Sequence, residues 1–434
     1  MKRYDMKKLS ALTLALLLAF SLAACAADAN AQTVSGAANT AAQSGNSTKA
    51  DNSSTSSSSS SSGGAVVTTV AATAGGAIDA SDLFSKRDLK QSAELDEAVS
   101  YSVSDGAEIS ITTAGVYVLS GSAKNATVTV DAGDEDKVQL VLDGLTVSNE
   151  NFPVIYVKNA DKVFVTTAEG SENSLSVTGT FTADGSTNTD AVIFSRDDLV
   201  LNGLGTLNIS STDNGIACKD DLKITGGTLN VSAVDACIEA NDSIAVAGGT
   251  VTVTSSKKDG LHAENEDDDK QGWIYICGGT LQITAADDGI HAVSIVQIDG
   301  GTLHITAAEG IEATWVQIND GEITISATDD GINGGQKSKS YTVCVEINGG
   351  SLNITMAQGD TDGIDSNGNL TITGGTISVN AQSPFDYDGT LTHTGGTIIV
   401  NGSETTDISN QFGGGMGGGM GGPGGMGGFG GGRR

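Results

Sequence analysis

A glycine followed by an alternating apolar segment recurs through the middle of the chain, and this repeat limits the fold more than any other feature. It reads Gly205-Thr206-Leu207-Asn208-Ile209, Gly227-Thr228-Leu229-Asn230-Val231 and Gly249-Thr250-Val251-Thr252-Val253, in steps of 22 residues. It continues at Gly279-Thr280-Leu281, Gly301-Thr302-Leu303, Gly321-Glu322-Ile323, Gly350-Ser351-Leu352, Gly375-Thr376-Ile377 and Gly396-Thr397-Ile398, in steps of 20 to 30. Within each unit the period is two. Leu229 and Val231 point one way, Thr228 and Asn230 the other, and Gly-Gly marks a turn with positive φ. A second segment carries Asn214-Gly215-Ile216, Asp259-Gly260-Leu261, Asp288-Gly289-Ile290, Glu309-Gly310-Ile311, Asp330-Gly331-Ile332 or Asp362-Gly363-Ile364. A third precedes Gly-Gly, as in Leu222-Lys223-Ile224.

Three short strands per repeat predict an all-β fold, a right-handed single-stranded parallel β-helix that buries its apolar column only when rungs stack. Residues 101 to 402 hold roughly 12 coils, a rod on the order of 60 Å at about 4.8 Å per rung. Leu229, Val231, Leu281, Ile283, Leu303 and Ile305 are expected inside. A β-propeller needs four strands per blade and longer repeats. Ser92 to Val99, with Leu95 and Val99 four apart, is expected to form a short helix capping the N-terminal end of the core.

The flanks differ in composition. Lys2, Arg3, Lys7 and Lys8 precede an apolar stretch from Leu9 to Ala24, which reads as a signal peptide. Leu22-Ala23-Ala24-Cys25 resembles a bacterial lipobox, so residues 1–25 are expected to be a lipoprotein signal with Cys25 lipidated. The chain is then exported and held at the extracellular face of the cell membrane by its lipid alone. Residues 26–85, rich in Ser, Ala and Thr, are expected to be a mostly disordered linker. Residues 86–402 are the folded body and 403–434 a disordered Gly/Met-rich tail. Cys218, Cys237, Cys277 and Cys344 have no CxxC spacing and read as buried free thiols. Set against 22 basic residues, 53 acidic ones give a net charge of −31, which excludes nucleic acid as a partner and favours divalent cations. A monomer is expected.

Stacking turns sequence columns into spatial ladders. One column holds Asp190, Asp213 and Asp235, and a second Asp259, Asp288, Glu309, Asp330 and Asp362. A third holds Glu239, His262, His291, Glu312, Asn333 and Asp365, and a fourth, at the next turn, Asp197, Asp220 and Asp242 beside Asp198 and Asp221. Carboxylates about 4.8 Å apart repel by roughly 1 kcal/mol in water and about 3 at a partly shielded site. Calcium, which takes six to eight hard oxygen ligands in loose geometry, is the expected neutraliser at Asp190, Asp197, Asp198, Asp213, Asp220, Asp221, Asp235, Asp288 and Asp330. The alternative is a solvated acidic face with Arg196, Lys219 and Lys223 as counter-charges. His262 and His291 read as exposed ladder positions in preference to a zinc site, since no three-ligand set is evident. Trp273, and Trp315 in the turn column of Asp220, are candidates for stacking on sugar faces.

Residues 86 to 402 resemble the carbohydrate-binding-domain family of bacterial surface proteins, related in fold to calcium-dependent pectate lyases. The resemblance lies in Val157-Lys158-Asn159-Ala160-Asp161-Lys162-Val163, Ile193-Phe194-Ser195-Arg196-Asp197-Asp198-Leu199, Lys219-Asp220-Asp221-Leu222-Lys223-Ile224-Thr225-Gly226-Gly227 and the repeated Asp-Asp-Gly-Ile. It implies non-catalytic binding of cellulose or polygalacturonate-like glycans at the cell surface, with bound calcium at Asp197, Asp220, Asp221, Asp287, Asp288, Asp329 and Asp330. The rung Val234-Asp235-Ala236-Cys237-Ile238-Glu239-Ala240 departs from the pattern. Two other functions fit the same residues. In a polysaccharide lyase, calcium acidifies the proton beside a uronate carboxylate and Lys219, Lys223, Lys258 or Arg196 removes it. In an adhesin or scaffold, the rod is a spacer.

Overall fold

A computed structural model describes residues 77–359 and 361–410. Cys25, the signal segment, most of the linker and the tail from residue 411 lie outside the described residues. The described part is all β, with no helix. Strands one repeat apart pair in parallel and in register. Thr206–Ser210 pairs with Thr228–Ala233, which pairs with Thr250–Ser255, which pairs with the second half of Trp273–Thr284. The Asp-Gly-Ile segments form a second such series, through Ala191–Ser195, Asn214–Cys218, Ile238–Ala240, Leu261–Ala263 and Asp288–Ala307. A third runs through Lys162–Thr167, Asp198–Gly203, Asp221–Ile224 and Ser243–Val246 to the first half of Trp273–Thr284. Among the named strands, one antiparallel pairing is found, Thr397–Val400 with Ser403–Thr405 at the C-terminal end.

The core follows from the alternation. Leu229, Val231, Leu281, Ile283, Leu303 and Ile305 are all buried in one apolar cluster, each worth about 1.5–3 kcal/mol of transfer free energy. Packing also explains the glycine of Asp-Gly-Ile. A Cβ at Gly289 would lie 2.3 Å from Ile305 Cγ2 and 2.6 Å from the Gly310 carbonyl oxygen of the next rung, so only glycine fits there. The glycine that leads most of the apolar segments has a different reason. At Gly301, φ is +98°, a conformation that side chains disfavour.

Two expectations at the N-terminal side are corrected. Residues 92–98 form turns and irregular chain, not a helix, and Leu95 and Val99 are 56% and 47% exposed. Two apolar residues do not bury enough surface to offset helix nucleation. Tyr101, Ala107 and Ile109 pack against that end of the core instead. The described chain also includes residues 77–85, inside the expected linker, which run as part of a strap along the third series. Ala77 N donates to Gln317 Oε1 (2.9 Å), Ile78 N to Gln297 Oε1 (2.6 Å) and Gly203 N to Gln91 Oε1 (2.9 Å). The Arg87 guanidinium stacks 4.5 Å over the Phe164 ring. At the other end the packed chain runs past residue 402 to Ile408, which is buried.

The thiols are free. Cys218 and Cys237 are buried as expected, whereas Cys277 and Cys344 are partly exposed. Burial pushes the Cys237 thiol up to about 12 and those of Cys277 and Cys344 up to about 11, so none is primed as a nucleophile.

Candidate functional site

The outward residues of the Asp-Gly-Ile series form a ladder whose character changes along the stack. It runs Tyr156, Phe194, Ala217, Glu239, His262, His291, Glu312, Asn333, Asp365 and Asp386, in register throughout. The aromatic rungs are partly closed by residues 178–190, where Asp184 accepts from Tyr156 OH at 3.0 Å and pairs with Lys158 at 3.0 Å. The charged rungs lie open. They floor a groove of about 790 Å³ lined by Lys258, His262, His291, Glu309, Glu312 and Lys337, which continues into one of about 490 Å³ over Asp190, Asp213, Asp235 and Glu239.

Two inserts wall this groove. Residues 264–272 and 335–343 meet across about seventy positions of sequence: Asp269 Oδ1 accepts from Ser340 Oγ (2.7 Å), Asp269 Oδ2 from Lys339 N (3.2 Å), and the Asp269 carbonyl from Ser338 Oγ. These are the inserts that lengthen two of the repeat steps. No residue pattern links them in the sequence.

The floor is neutralised in part from within, although burial and neighbouring carboxylates still push Asp288 up and Glu309 up to about 7. His262 Nδ1 lies 2.7 Å from Asp259 Oδ2, and His291 Nδ1 lies 2.7 Å from Asp288 Oδ2 and 2.9 Å from Glu312 Oε2. The two rings stack, centroids 4.7 Å apart and 8° from parallel. Lys337 Nζ reaches Glu312 Oε1 at 2.6 Å. Burial opposes a charge on His291, yet its bonds to Asp288 and Glu312 raise it to about 10. Burial likewise opposes ionisation of Glu312, but His291 and Lys337 hold it well below the usual carboxylate range. Farther along, burial and then neighbouring carboxylates push Asp330 up to about 7 and Asp365 to about 6. Two Asp of the motif also have a structural bond that the sequence did not reveal. Asp259 Oδ1 accepts from Asp288 N (2.9 Å) and Asp330 Oδ1 from Asp362 N (3.3 Å), tying one rung to the next.

The neighbouring corner is less compensated. Asp198, Asp220 and Asp221 bring three carboxylates within 4.8 Å of one another. Lys162 pairs with Asp198 at 3.3 Å, and Ser243 Oγ donates to Asp221 at 2.6 Å. Burial, then Asp198, Asp221, Asp242 and Asp197, push Asp220 up to about 7. Asp197 turns one oxygen to Ala160 N at 3.0 Å. Asn265, which lines the groove, hydrogen-bonds Asp242 and so joins the corner to the groove wall. Three carboxylates held close together, with Asp220 raised by burial and its acidic neighbours, offer hard oxygens and unmet negative charge, so the corner fits calcium by its donor set.

Other expected site residues fall out of place. Among the described residues, the Asp190, Asp213 and Asp235 column and Asp330 contribute to no group of three close ligand atoms, whereas Asp288 does. Trp315 does not share the column of Asp220; the register puts Trp273 and Trp315 in that of Asp221 and Ser243, one position on. Both are half-buried and neither lines the groove. Of the candidate bases, Lys223 is 8% exposed beneath the strap, donating to the Leu83 carbonyl at 2.6 Å and lying 3.9 Å from Asp88. That burial removes it as a base for an external substrate. Lys219 pairs with Glu239 at 2.8 Å, Arg196 bonds Thr187, and Lys258 stands exposed in the groove. Lys162 and Lys337, the cations that do compensate the ladders, were not singled out by the sequence.

A carbohydrate-binding domain-containing protein of Acetivibrio thermocellus is 40% identical over 195 residues, covering 44% of this chain and 68% of the relative. A solved structure described as the polysaccharide lyase-like protein from C. thermocellum, gadolinium derivative, is 30% identical with a TM-score of 0.47, covering 52% of this chain and 96% of that one. The profile of the carbohydrate-binding domain-containing family matches residues 105–358 and 308–410, and the chain belongs to that family.

Proposed function

We propose that this member of the carbohydrate-binding domain-containing family is a right-handed parallel β-helix of about 12 coils that holds an acidic polysaccharide, polygalacturonate-like, along the walled groove without cleaving it. The observation that carries the reading is the groove itself, an extended polar channel on the charged rungs of one ladder, beside a corner of closely spaced, partly compensated carboxylates. Glu239, Asn333 and the groove lysines Lys258, Lys337 and Lys339 offer donors and acceptors to sugar hydroxyls and carboxylates. At the corner, Asp198, Asp220 and Asp221 would hold calcium. Bound there, the ion supplies positive charge that lets a chain of net charge −31 approach a polyanion. The chain's place on this reading is the outer face of the cell membrane, tethered through lipid on Cys25.

The test is binding of the whole chain to a panel of polygalacturonate, cellulose and neutral mannans, with calcium and with chelator. Calcium-dependent retention on polygalacturonate supports the reading. Retention on neutral glycans alone, or none on any glycan, overturns it. A lyase reading draws on Lys258, which makes none of the ion pairs found among the described residues. It would show itself as ultraviolet-absorbing unsaturated ends released from polygalacturonate and lost in Lys258→Ala.

A further inference from the structure

We infer that His262 and His291, with Asp259 and Asp288, form a binding site for a borderline transition-metal ion of the zinc, cobalt or nickel kind in the groove floor. The chain contains only four histidines. Two of them occupy the same column on adjacent rungs, at the end of the same short pattern, Asp259-Gly260-Leu261-His262 and Asp288-Gly289-Ile290-His291. Their rings stack in parallel at 4.7 Å.

The pattern builds the same donor pair twice. In each rung the Asp three residues earlier places Oδ2 2.7 Å from Nδ1 of the histidine. The aspartates are fixed from behind, since both are buried and Asp259 Oδ1 is anchored on the Asp288 amide. Ligand atoms of Asp259, His262 and His291 lie within 4.8 Å of one another, and so do those of Asp288, His291 and Glu312. Metal–nitrogen and metal–oxygen bonds of about 2.0–2.2 Å require the two rings to turn out of parallel, so that both nitrogen lone pairs meet the ion, and the carboxylates to rotate with them. The ion takes the place of the proton shared in the His–Asp contact, and that proton leaves to solvent.

Donor chemistry separates this site from the corner. Imidazole nitrogen with carboxylate selects zinc-like ions, whereas carboxylate oxygen alone suits calcium or magnesium. The floor also has the supporting contacts that orient ligands, in Lys337 on Glu312 and the Asp288 amide on Asp259. Glu264 Oε2, 3.3 Å from His262 Nε2, stands at the groove side as a further oxygen.

Cobalt(II) is the probe, because its visible absorption reports nitrogen ligation and low coordination number. Titrating it into the whole chain should give saturable visible bands that zinc abolishes and excess calcium leaves in place. His262→Asn and His291→Asn should each weaken binding by roughly tenfold or more, the scale of losing a ligand or its orienting partner. Asp220→Asn with Asp221→Asn should leave the bands unchanged. Absence of visible bands in the wild type, displacement by calcium, or bands in His262→Asn that saturate at the wild-type cobalt concentration each overturns the site. Should His291→Asn fail to fold, the more exposed His262 and the wild-type spectrum still decide the matter. Failure here leaves the calcium-dependent glycan binding untouched, since that is read with calcium and a different set of variants.

Discussion

The groove floor and the corner beside it stack carboxylates on neighbouring rungs in the same way, yet they solve the repulsion differently. In the floor, His291 sits between Asp288 and Glu312, and Lys337 takes the far oxygen of Glu312. In the corner, Lys162 reaches Asp198, while Asp220 is held up to about 7 among four other carboxylates. Register alone therefore does not make a calcium site. What matters is whether the neutralising charge stands in the same ladder, as a histidine can, or must be brought from solution.

The largest effect should come from breaking the floor. His291→Ala leaves Asp288 and Glu312, both 6% exposed, facing each other without the imidazolium. Removing one partner of a buried charge pair costs about 3–5 kcal/mol. Urea unfolding should show a loss of that order for His291→Ala, whereas Asp220→Asn in chelator should be neutral or stabilising, since it removes a repelled charge. Equal losses from the two substitutions would erase the distinction between floor and corner.

Next in size is the response to calcium. An ion that binds only the folded chain stabilises it by about 2.7 kcal/mol at a hundred times its dissociation constant. The thermal midpoint should rise with calcium in the wild type and in His262→Asn. It should stay flat in Asp220→Asn with Asp221→Asn, the corner variant. A calcium response that survives in the corner variant would move the site elsewhere.

Much of this comparison was legible in the sequence. The columns Asp259/Asp288/Glu309/Asp330 and Glu239/His262/His291/Glu312 come from a repeat whose period fixes which residues face out, and the pairing keeps them in register. The partners were not legible, because they come from outside the repeat. Lys337 arrives on an insert held by Asp269, some seventy residues away. Asp88, which faces Lys162 at 3.6 Å and Lys223 at 3.9 Å, belongs to a strap ahead of the first repeat, where no column marks it as a partner. The misplacement of Trp315 has a simpler origin. Repeat steps vary between 20 and 30 residues, so an alignment by glycines slips by one at a corner, and only the strand pairing Ile295 with Trp315 fixes it.

A smaller and broader effect concerns pH. Asp220 and Asp330 stand at about 7 and Asp365 at about 6 in the folded chain, against a usual 3.8. Burial and neighbouring carboxylates raise them, so the folded state binds more protons than the unfolded state between those values. Stability from these groups is full below pH 4 and falls as pH rises through about 7. Without divalent ions the thermal midpoint should therefore fall from pH 5 to pH 8, and calcium should flatten the slope mainly through Asp220. Asp220→Asn should lessen the wild-type slope in chelator; an unchanged slope would assign the effect to the other raised groups, Asp288, His291, Glu309, Asp330 and Asp365.

The smallest expected effect probes how the corner is held. Ser243 follows Asp221 in its column, is fully buried, and donates from Oγ to Asp221 Oδ1 at 2.6 Å. That bond fixes one oxygen of the carboxylate and leaves the other to turn toward Asp198 and Asp220. Replacing Ser243 by alanine removes a hydrogen bond to a charged group, worth about 1.5–3 kcal/mol in general and less here because Asp221 is partly exposed and regains water. A loss near 1 kcal/mol in chelator is expected on this account. Because Asp221 then loses its fixed direction, calcium should bind several-fold more weakly without being abolished, while the cobalt bands of the floor stay as they are. Calcium affinity that is unchanged in Ser243→Ala, measured by titration calorimetry, would mean that Asp221 is not a ligand and that Asp198 and Asp220 carry the corner alone.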